Sequence, residues 1–184
     1  LNYNFLSWNV RGMNNMTKRY KAFSYLNRKG THIALLQETH FTFKEWLALQ
    51  RRWHGQAYYT TYSAFARGVL IWMKPGVPFQ HTKSLTDPDG HFVVVAGRDI
   101  VLGNIYAPNI EQGVFLGDLT RKLVDYLVRS IITEGDYNYV ASPSLDQSHP
   151  LLQDSPAHRM ARIFADWQTR WGLIDTWRHR HPAE

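Results

Sequence analysis

Two spacings of apolar residues alternate along this chain. Short apolar runs predict strands near 3–9, 32–38, 57–62, 68–73, 77–85, 91–96, 99–106 and leading up to Thr133. Spacings of three and four predict helices near 17–29, 44–53, 112–129 and 156–171. Tyr20, Phe23 and Leu26 give the first helix its stripe, with Thr17 as its expected N-cap and Gly30 as its stop. Phe115, Leu119, Leu123 and Tyr126-Leu127 share a face of the third helix, and Met160, Ile163, Phe164 and Trp167 line the last. Turn chemistry separates the strands at Pro75-Gly76, Asp87-Pro88-Asp89-Gly90 and Gly97-Arg98-Asp99. This mixed order predicts a layered α/β fold with sheets sandwiched between helices. No repeat, low-complexity tract or linker divides the 184 residues, so a single domain over 1–184 is expected, with Ala141 to Pro156 as a surface loop.

Polar residues stand where four of the strand-like runs end. Phe5-Leu6-Ser7-Trp8 runs into Asn9, and Ile33-Ala34-Leu35-Leu36-Gln37 runs into Glu38. Val101-Leu102-Gly103-Asn104-Ile105 ends at Tyr106, and Ile131-Ile132-Thr133 leads through Glu134-Gly135 to Asp136-Tyr137-Asn138. Two carboxylates, two carboxamides and a phenol suit a hard metal ion and a phosphate, because Mg²⁺ takes few protein carboxylates and keeps several waters. Each residue also has an ordinary reading. Glu38 reads as a strand-end carboxylate paired with a base, and Asp136 and Asn138 as the residues of an Asx-type turn. If that segment were extended, Asp136 and Asn138 would point the same way, with Gly135 letting the backbone bend. Their joint occurrence carries more weight than any member.

Charge adds a partner. The net charge of +6 is concentrated in residues 1–60, where nine Lys and Arg face two acids, a balance of +7. Arg11, Lys18, Arg19, Lys21, Arg28, Lys29, Lys44, Arg51 and Arg52 make this excess, a footprint suited to a phosphate backbone, although solvated helix faces are also lysine-rich. The absence of cysteine excludes disulfides, thiolate zinc sites and a cysteine nucleophile. No apolar run approaches the ~20 residues of a spanning helix, so no membrane partner is expected. The chain opens on Leu1 and closes on Glu184, and it reads as a piece of something longer.

The motifs carry a resemblance. Ser7-Trp8-Asn9-Val10-Arg11-Gly12-Met13, Leu35-Leu36-Gln37-Glu38-Thr39-His40, Asn104-Ile105-Tyr106-Ala107-Pro108-Asn109 and Gly135-Asp136-Tyr137-Asn138 stand in the order and spacing of the endonuclease/exonuclease/phosphatase superfamily. Asp87-Pro88-Asp89-Gly90-His91-Phe92-Val93-Val94-Val95 fits as well. Their wording most resembles the apurinic-like endonuclease domain of non-LTR (LINE-type) retrotransposon replication proteins, from Asn4 to about Pro182. The resemblance implies a four-layer α/β-sandwich, two mixed β-sheets flanked by helices. It further implies a metal-dependent phosphodiesterase that nicks DNA during target-primed retrotransposition, beside a reverse transcriptase and in the nucleus.

By that resemblance Glu38 would bind Mg²⁺ (or Mn²⁺), with Asn9 as a second ligand or as a partner to Glu38. Asp136 would activate the attacking water, Asn138 would hold the scissile phosphate, and Tyr106 would bond that phosphate or its developing charge. Arg11, Lys18 and Arg67 would contact the DNA backbone. The chain departs from the family pattern at its C-terminus. Family members continue with an Ile-Asp strand and a final Ser-Asp-His, and none of the nine histidines here sits in such a sequence. His149 falls in the loop after the Gly-Asp-Tyr-Asn motif, and His179 and His181 read as surface residues at a helix end. A C-terminally truncated domain is therefore expected. Two alternatives stay open: an inactive nucleic-acid-binding remnant, and a superfamily phosphodiesterase acting on phospholipid head groups or inositol phosphates. Glu134, in place of a small or apolar residue, reads either as a further carboxylate near the metal or as a strand-end charge.

Overall fold

The computed structural model describes residues 3–51, 54–126, 129–141 and 155–182. They form two compact units, one of Leu1–Ala107 with Asp125–Tyr137 and one of Pro108–Val124 with Asn138–Glu184. The larger unit holds eight strands: β1 (Phe5–Asn9), β2 (Ile33–Gln37), β3 (Gln56–Thr60), β4 (Val69–Met73), β5 (His81–Thr86), β6 (Phe92–Gly97), β7 (Ile100–Tyr106) and β8 (Ser130–Asp136). Strands β2, β4 and β6 are buried along their whole length, as unbroken apolar runs require of strands covered on both faces.

These strands make two mixed four-stranded sheets, ordered β1-β2-β4-β3 and β5-β6-β7-β8. Each sheet contains one parallel pair, β1 with β2 and β7 with β8, and its other pairings are antiparallel. Because side chains alternate across a strand, odd and even positions of β2 and β4 serve different cores. Ile33, Leu35, Val69, Ile71 and Met73 meet Val93, Val95 and Leu102 of the second sheet. Ala34, Leu36, Leu70 and Trp72 face the other way, onto Ala22 and Leu26 of α1 (Met16–Arg28) and Trp46 of α2 (Phe43–Gln50). Two mixed sheets with helices are the α/β-sandwich class expected from the sequence.

Helix α1 starts one residue earlier than expected. Its N-cap is Asn15, not Thr17: the Asn15 backbone is extended and its Oδ1 accepts from Lys18 N at 3.1 Å. Thr17 is already inside the first turn. Gly30, at φ 64°, follows the helix end as expected. Helix α2 opens with a capping box, in which Thr42 accepts from the Glu45 backbone and the Glu45 carboxylate accepts from Thr42 N. Arg52 and Trp53, expected at its end, lie outside the described residues. Strand β5 starts at His81, so 77–80 of the expected strand precede it.

The smaller unit pairs α3 (Gln112–Leu123) with α4 (Pro156–Trp171). Leu116, Leu119 and Leu123 are buried, as are Phe164 and Trp167, and Trp167 Nε1 donates to Thr120 Oγ1 at 2.9 Å. Leu116 takes the buried place expected of Phe115, and Ile163 is exposed. The expected helix to 129 stops at Leu123 and tightens into a 3₁₀ turn, Val124–Tyr126; Leu127 lies outside the described residues. A short helix α5 (Thr176–Arg180) is capped by Asp175, and His179 on it is exposed, as expected. Most of the expected loop from Ala141 to Pro156, with His149, is outside the described residues. Among those residues no helix is long and apolar enough to cross a membrane.

Candidate active site

Parallel pairing decides where the polar strand ends go. In β1 and β2, Asn9 is in register with Gln37, so Asn9 and the following Glu38 leave the first sheet at one edge. In β7 and β8, Tyr106 is in register with Asp136. The two sheets then face each other with these ends together. The Asn9 Nδ2 group donates to Glu38 Oε1 at 2.8 Å and to Asp136 Oδ2 at 2.9 Å. One amide thus bridges two carboxylates that are 98 residues apart in the chain. Asn9 Oδ1 accepts from Arg11 N at 3.1 Å, and the Tyr106 hydroxyl donates to the Glu38 carboxylate.

The loops continue the pairing beyond the strands. Gly12 N donates to Glu38 O at 2.6 Å and Met13 N to Thr39 O at 2.8 Å. On the other side of the same segment, Thr39 N donates to Gly68 O at 2.9 Å and His40 N to Arg67 O at 3.0 Å. Ala107 N reaches Asp136 O at 2.9 Å. Such bonds hold an unusual backbone. Among the described residues the non-glycine positions with positive φ are Arg11, Glu38, His40, Arg67, Glu111 and Asn138. Four of the six, Arg11, Glu38, Arg67 and Asn138, are candidate site or DNA-contact residues expected from the sequence. Left-handed backbone at such residues costs on the order of 1–3 kcal/mol each, and it persists where surrounding bonds over-determine it.

Strand β8 runs through Glu134-Gly135 to Asp136, so these residues finish the strand and do not form a turn. A Cβ at position 135 would collide with Ile105 O, so only glycine lets β8 pass β7 at this point. Asn138 has φ 50° and therefore does not continue an extended strand in phase with Asp136. It belongs to the smaller unit, where Gln112 Nε2 donates to its carbonyl oxygen at 2.5 Å.

Burial by itself would raise the Glu38 carboxyl, but bonds from Asn9 and Tyr106 and the nearby His40 outweigh it and hold the group below its ordinary range. Glu38 is thereby kept ionised. His40 Nε2 stands 3.4 Å from Glu38 Oε2. His40 closes the Leu35–His40 motif with no role expected of it, although its place two residues on from a candidate site carboxylate is signal enough. Glu134 behaves oppositely: it pairs in register with Asn104, and burial raises its carboxyl.

The basic candidates divide. Arg11 is exposed beside Asn9, and Lys18 Nζ donates to Arg11 O at 2.6 Å. The Arg67 guanidinium lies 4.4 Å from the centre of the Tyr62 ring and donates to Asp89 O at 3.1 Å. Arg19 is spent internally, on Met13 O and Asn14 O at 3.0 and 2.8 Å and over the Phe41 ring. Its charge braces the Arg11–Asn15 loop.

Among the described residues no three His, Cys, Asp or Glu gather around one point. Glu38 and Asp136, converging on one amide, nonetheless form an oxygen-only donor pair. That fits Mg²⁺, which binds through one or two carboxylates and retains water.

No protein-family model matches the chain. It is 24% identical over 182 residues to the 149 kDa protein of transposon TX1 of Xenopus laevis, covering 95% of this chain and 14% of that protein. It is 24% identical over 197 residues to an exodeoxyribonuclease of Bacillus subtilis, covering 96% and 75%. In fold it is similar to a 3′ phosphatase from Neisseria bound to product DNA hairpin, with TM-score 0.77, 18% identity, and 96% and 74% of the two chains covered. An AP endonuclease from Leishmania major gives 0.74, 15%, 98% and 70%. The endonuclease domain of TRAS1, a telomere-specific non-LTR retrotransposon, gives 0.60, 14%, 93% and 71%. These similarities agree with the resemblance read from the motifs: the neighbours are a phosphatase and endonucleases, a retrotransposon endonuclease among them, and they share this fold.

Proposed function

We propose that this chain is a single, divalent-metal-dependent endonuclease domain that nicks target DNA by phosphodiester hydrolysis during target-primed retrotransposition. In this reading it works in the nucleus, within a polypeptide that also carries a reverse transcriptase. The observation that carries the reading is the Asn9 amide bridging the Glu38 and Asp136 carboxylates at 2.8 and 2.9 Å. Two carboxylates held close together by a neutral donor, at the edge of two sheets and beside exposed arginine, suit phosphate chemistry. The nuclease relatives and the retrotransposon endonuclease neighbour support the same substrate class.

In this reading Glu38, ionised throughout the neutral range, holds the ion. When bound, Mg²⁺ or Mn²⁺ supplies Lewis-acid stabilisation of charge on the phosphoryl oxygens. Asn9 fixes the separation of the two carboxylates, with its own oxygen engaged by Arg11 N. Asp136 takes the proton from the water that attacks phosphorus, the P–O bond to the leaving sugar oxygen breaks, and that oxygen takes up a proton from solvent. Asn138 would donate to the phosphate, joined by Tyr106 when its hydroxyl turns from Glu38 to that oxygen, and Arg11, Lys18 and Arg67 would meet flanking phosphates.

A supercoiled-plasmid nicking assay tests this. Conversion to open circles that needs Mg²⁺ or Mn²⁺, stops with EDTA and is lost in both Glu38→Ala and Asp136→Ala is the expected result. Nicking that survives both substitutions would refute the site. Tight plasmid binding without nicking would favour the inactive binding domain.

A further inference from the structure

The turn between β3 and β4 holds an apolar ring out into solvent on an unusually well-fastened base. Phe65 is 89% exposed. Its turn is closed by Ser63, whose Oγ accepts from Phe65 N at 3.3 Å and Ala66 N at 3.1 Å, while Ser63 N donates to Ala66 O at 3.4 Å. Neighbouring segments clamp the turn from outside. Asn14 Nδ2 donates to Ala64 O at 2.8 Å, tying it to the loop that carries Arg11. His40 N bonds Arg67 O, tying it to the segment that carries Glu38. Gly90 packs beneath it: a Cβ there would lie 2.9 Å from Tyr62 Cβ and 3.2 Å from Arg67 Cβ. Phe65 therefore stands at a fixed offset from the Asn9–Glu38–Asp136 constellation.

An exposed phenylalanine gains nothing for the fold, because its ring is as wet as in the unfolded chain. A loop held by this many bonds is also not a frayed tip. The chemistry around the ring selects its partner. Tyr62, beside it in the turn, is covered by the Arg67 guanidinium, and the bonded neighbour loop presents exposed Arg11. Phe65 and the half-exposed Tyr62, two rings set among cations, are still too small for a protein-docking patch, which needs a contiguous apolar area. It matches a nucleic-acid strand, whose phosphates meet the cations and whose bases offer a flat apolar face.

Resting on the nuclease reading above, we propose that Phe65 is a base-stacking wedge. It presses into the base stack of the strand next to the candidate active site, and so favours steps that unstack readily, pyrimidine–purine steps above all. Arginine and lysine there set affinity and salt dependence, and the ring sets where along the strand the protein settles.

The test uses short duplexes with 2-aminopurine at successive positions. Binding and fluorescence are measured in Ca²⁺, and cleavage positions in Mg²⁺. The wild type is expected to bind with a fluorescence rise confined to one or two positions, and to cut with a bias towards pyrimidine–purine steps. Phe65→Ala, whose removed ring packs little against the protein, is expected to keep the wild-type melting temperature and lose the fluorescence rise. Its binding should weaken by roughly 5- to 150-fold, the range found for removing a stacking aromatic. Phe65→Trp should restore both. Unchanged affinity, fluorescence profile and cutting bias in Phe65→Ala would overturn the wedge and leave the nuclease reading intact. A wild-type chain that neither binds nor nicks DNA would instead remove the nuclease reading, and the wedge with it.

Discussion

Gln37 and Glu38 are neighbours at the end of β2, yet they belong to opposite kinds of polar site. Gln37 is 1% exposed and donates to Asn104 Oδ1 at 2.7 Å, with Leu35 O and Ser7 Oγ also within reach. Asn104, fully buried on β7, donates in turn to Leu36 O and Leu70 O, each at 3.0 Å, the two carbonyls of one β2–β4 cross-strand pair. This interior tie is directional where the surrounding core is only apolar, so it fixes the register of one sheet on the other. One residue further, Glu38 has left-handed backbone, an ionised carboxylate and a rim position. The difference teaches that the interior pair satisfies every donor it presents, whereas the rim pair is held together by a single amide and open to solvent.

Substitutions that break one region should spare the other. The largest effect is expected in Asn104→Leu, which takes the acceptor in the second sheet from the Gln37 amide and the side-chain donor from two buried main-chain carbonyls. At ~1–3 kcal/mol for each unsatisfied buried group, a stability loss of roughly 3–5 kcal/mol should appear in urea unfolding. Nicking by the folded fraction should change little; if stability stays unchanged, the tie is not structural. Glu38→Ala should do the reverse, lowering the nicking rate by more than about 100-fold while the melting temperature holds or rises.

Asn9→Ala sharpens the comparison, because it removes the bridge and leaves both carboxylates. Nicking should fall by about 10- to 100-fold. The Glu38 carboxyl is depressed in the fold, so its contribution to stability is present above the ordinary value of 4.5 and lost as pH falls through the depressed value. Without the Asn9 bond that acid limb should move to higher pH in thermal melts. A limb that does not move would show that Asn9 does not hold Glu38.

The smallest effect is expected for Glu134→Gln. Burial raises this carboxyl, so the fold disfavours its charge, and stability complete below the ordinary value is lost as pH rises through the raised one. The variant should be more stable than the wild type near neutrality by about 0.5–1 kcal/mol, with the gap closing near pH 4. Equal stability at both pH values would mean that Glu134 is well solvated.

The strands were legible because a strand buried on both faces must be largely apolar, as β4 and β6 are throughout and β2 is up to Gln37. The residues of the candidate site were legible as strand-end residues because Asn9, Glu38, Tyr106 and Asp136 each interrupt such a run at its end. The interior tie was not read, although its signal was there. Gln37 and Asn104 are polar residues within apolar runs, and burial obliges such a residue to find a partner. Which partner is a matter of sheet-to-sheet facing, and a linear pattern carries no information on that. The helix cap at Asn15 was missed for a smaller reason: Asn15 and Thr17 are both good caps, and only backbone geometry chooses between them.

What the sequence determined by itself is the inventory: an α/β-sandwich, its strand and helix segments, and the polar residues at the strand ends. Only the tertiary structure decided how that inventory acts. Parallel pairing of β1 with β2 and of β7 with β8 puts Asn9, Glu38, Tyr106 and Asp136 at common edges, and facing sheets bring those edges within one amide's reach. The physical reason is that pairing and facing are fixed by contacts between residues distant in the chain, whereas strand and helix periods are fixed by residues close together in it.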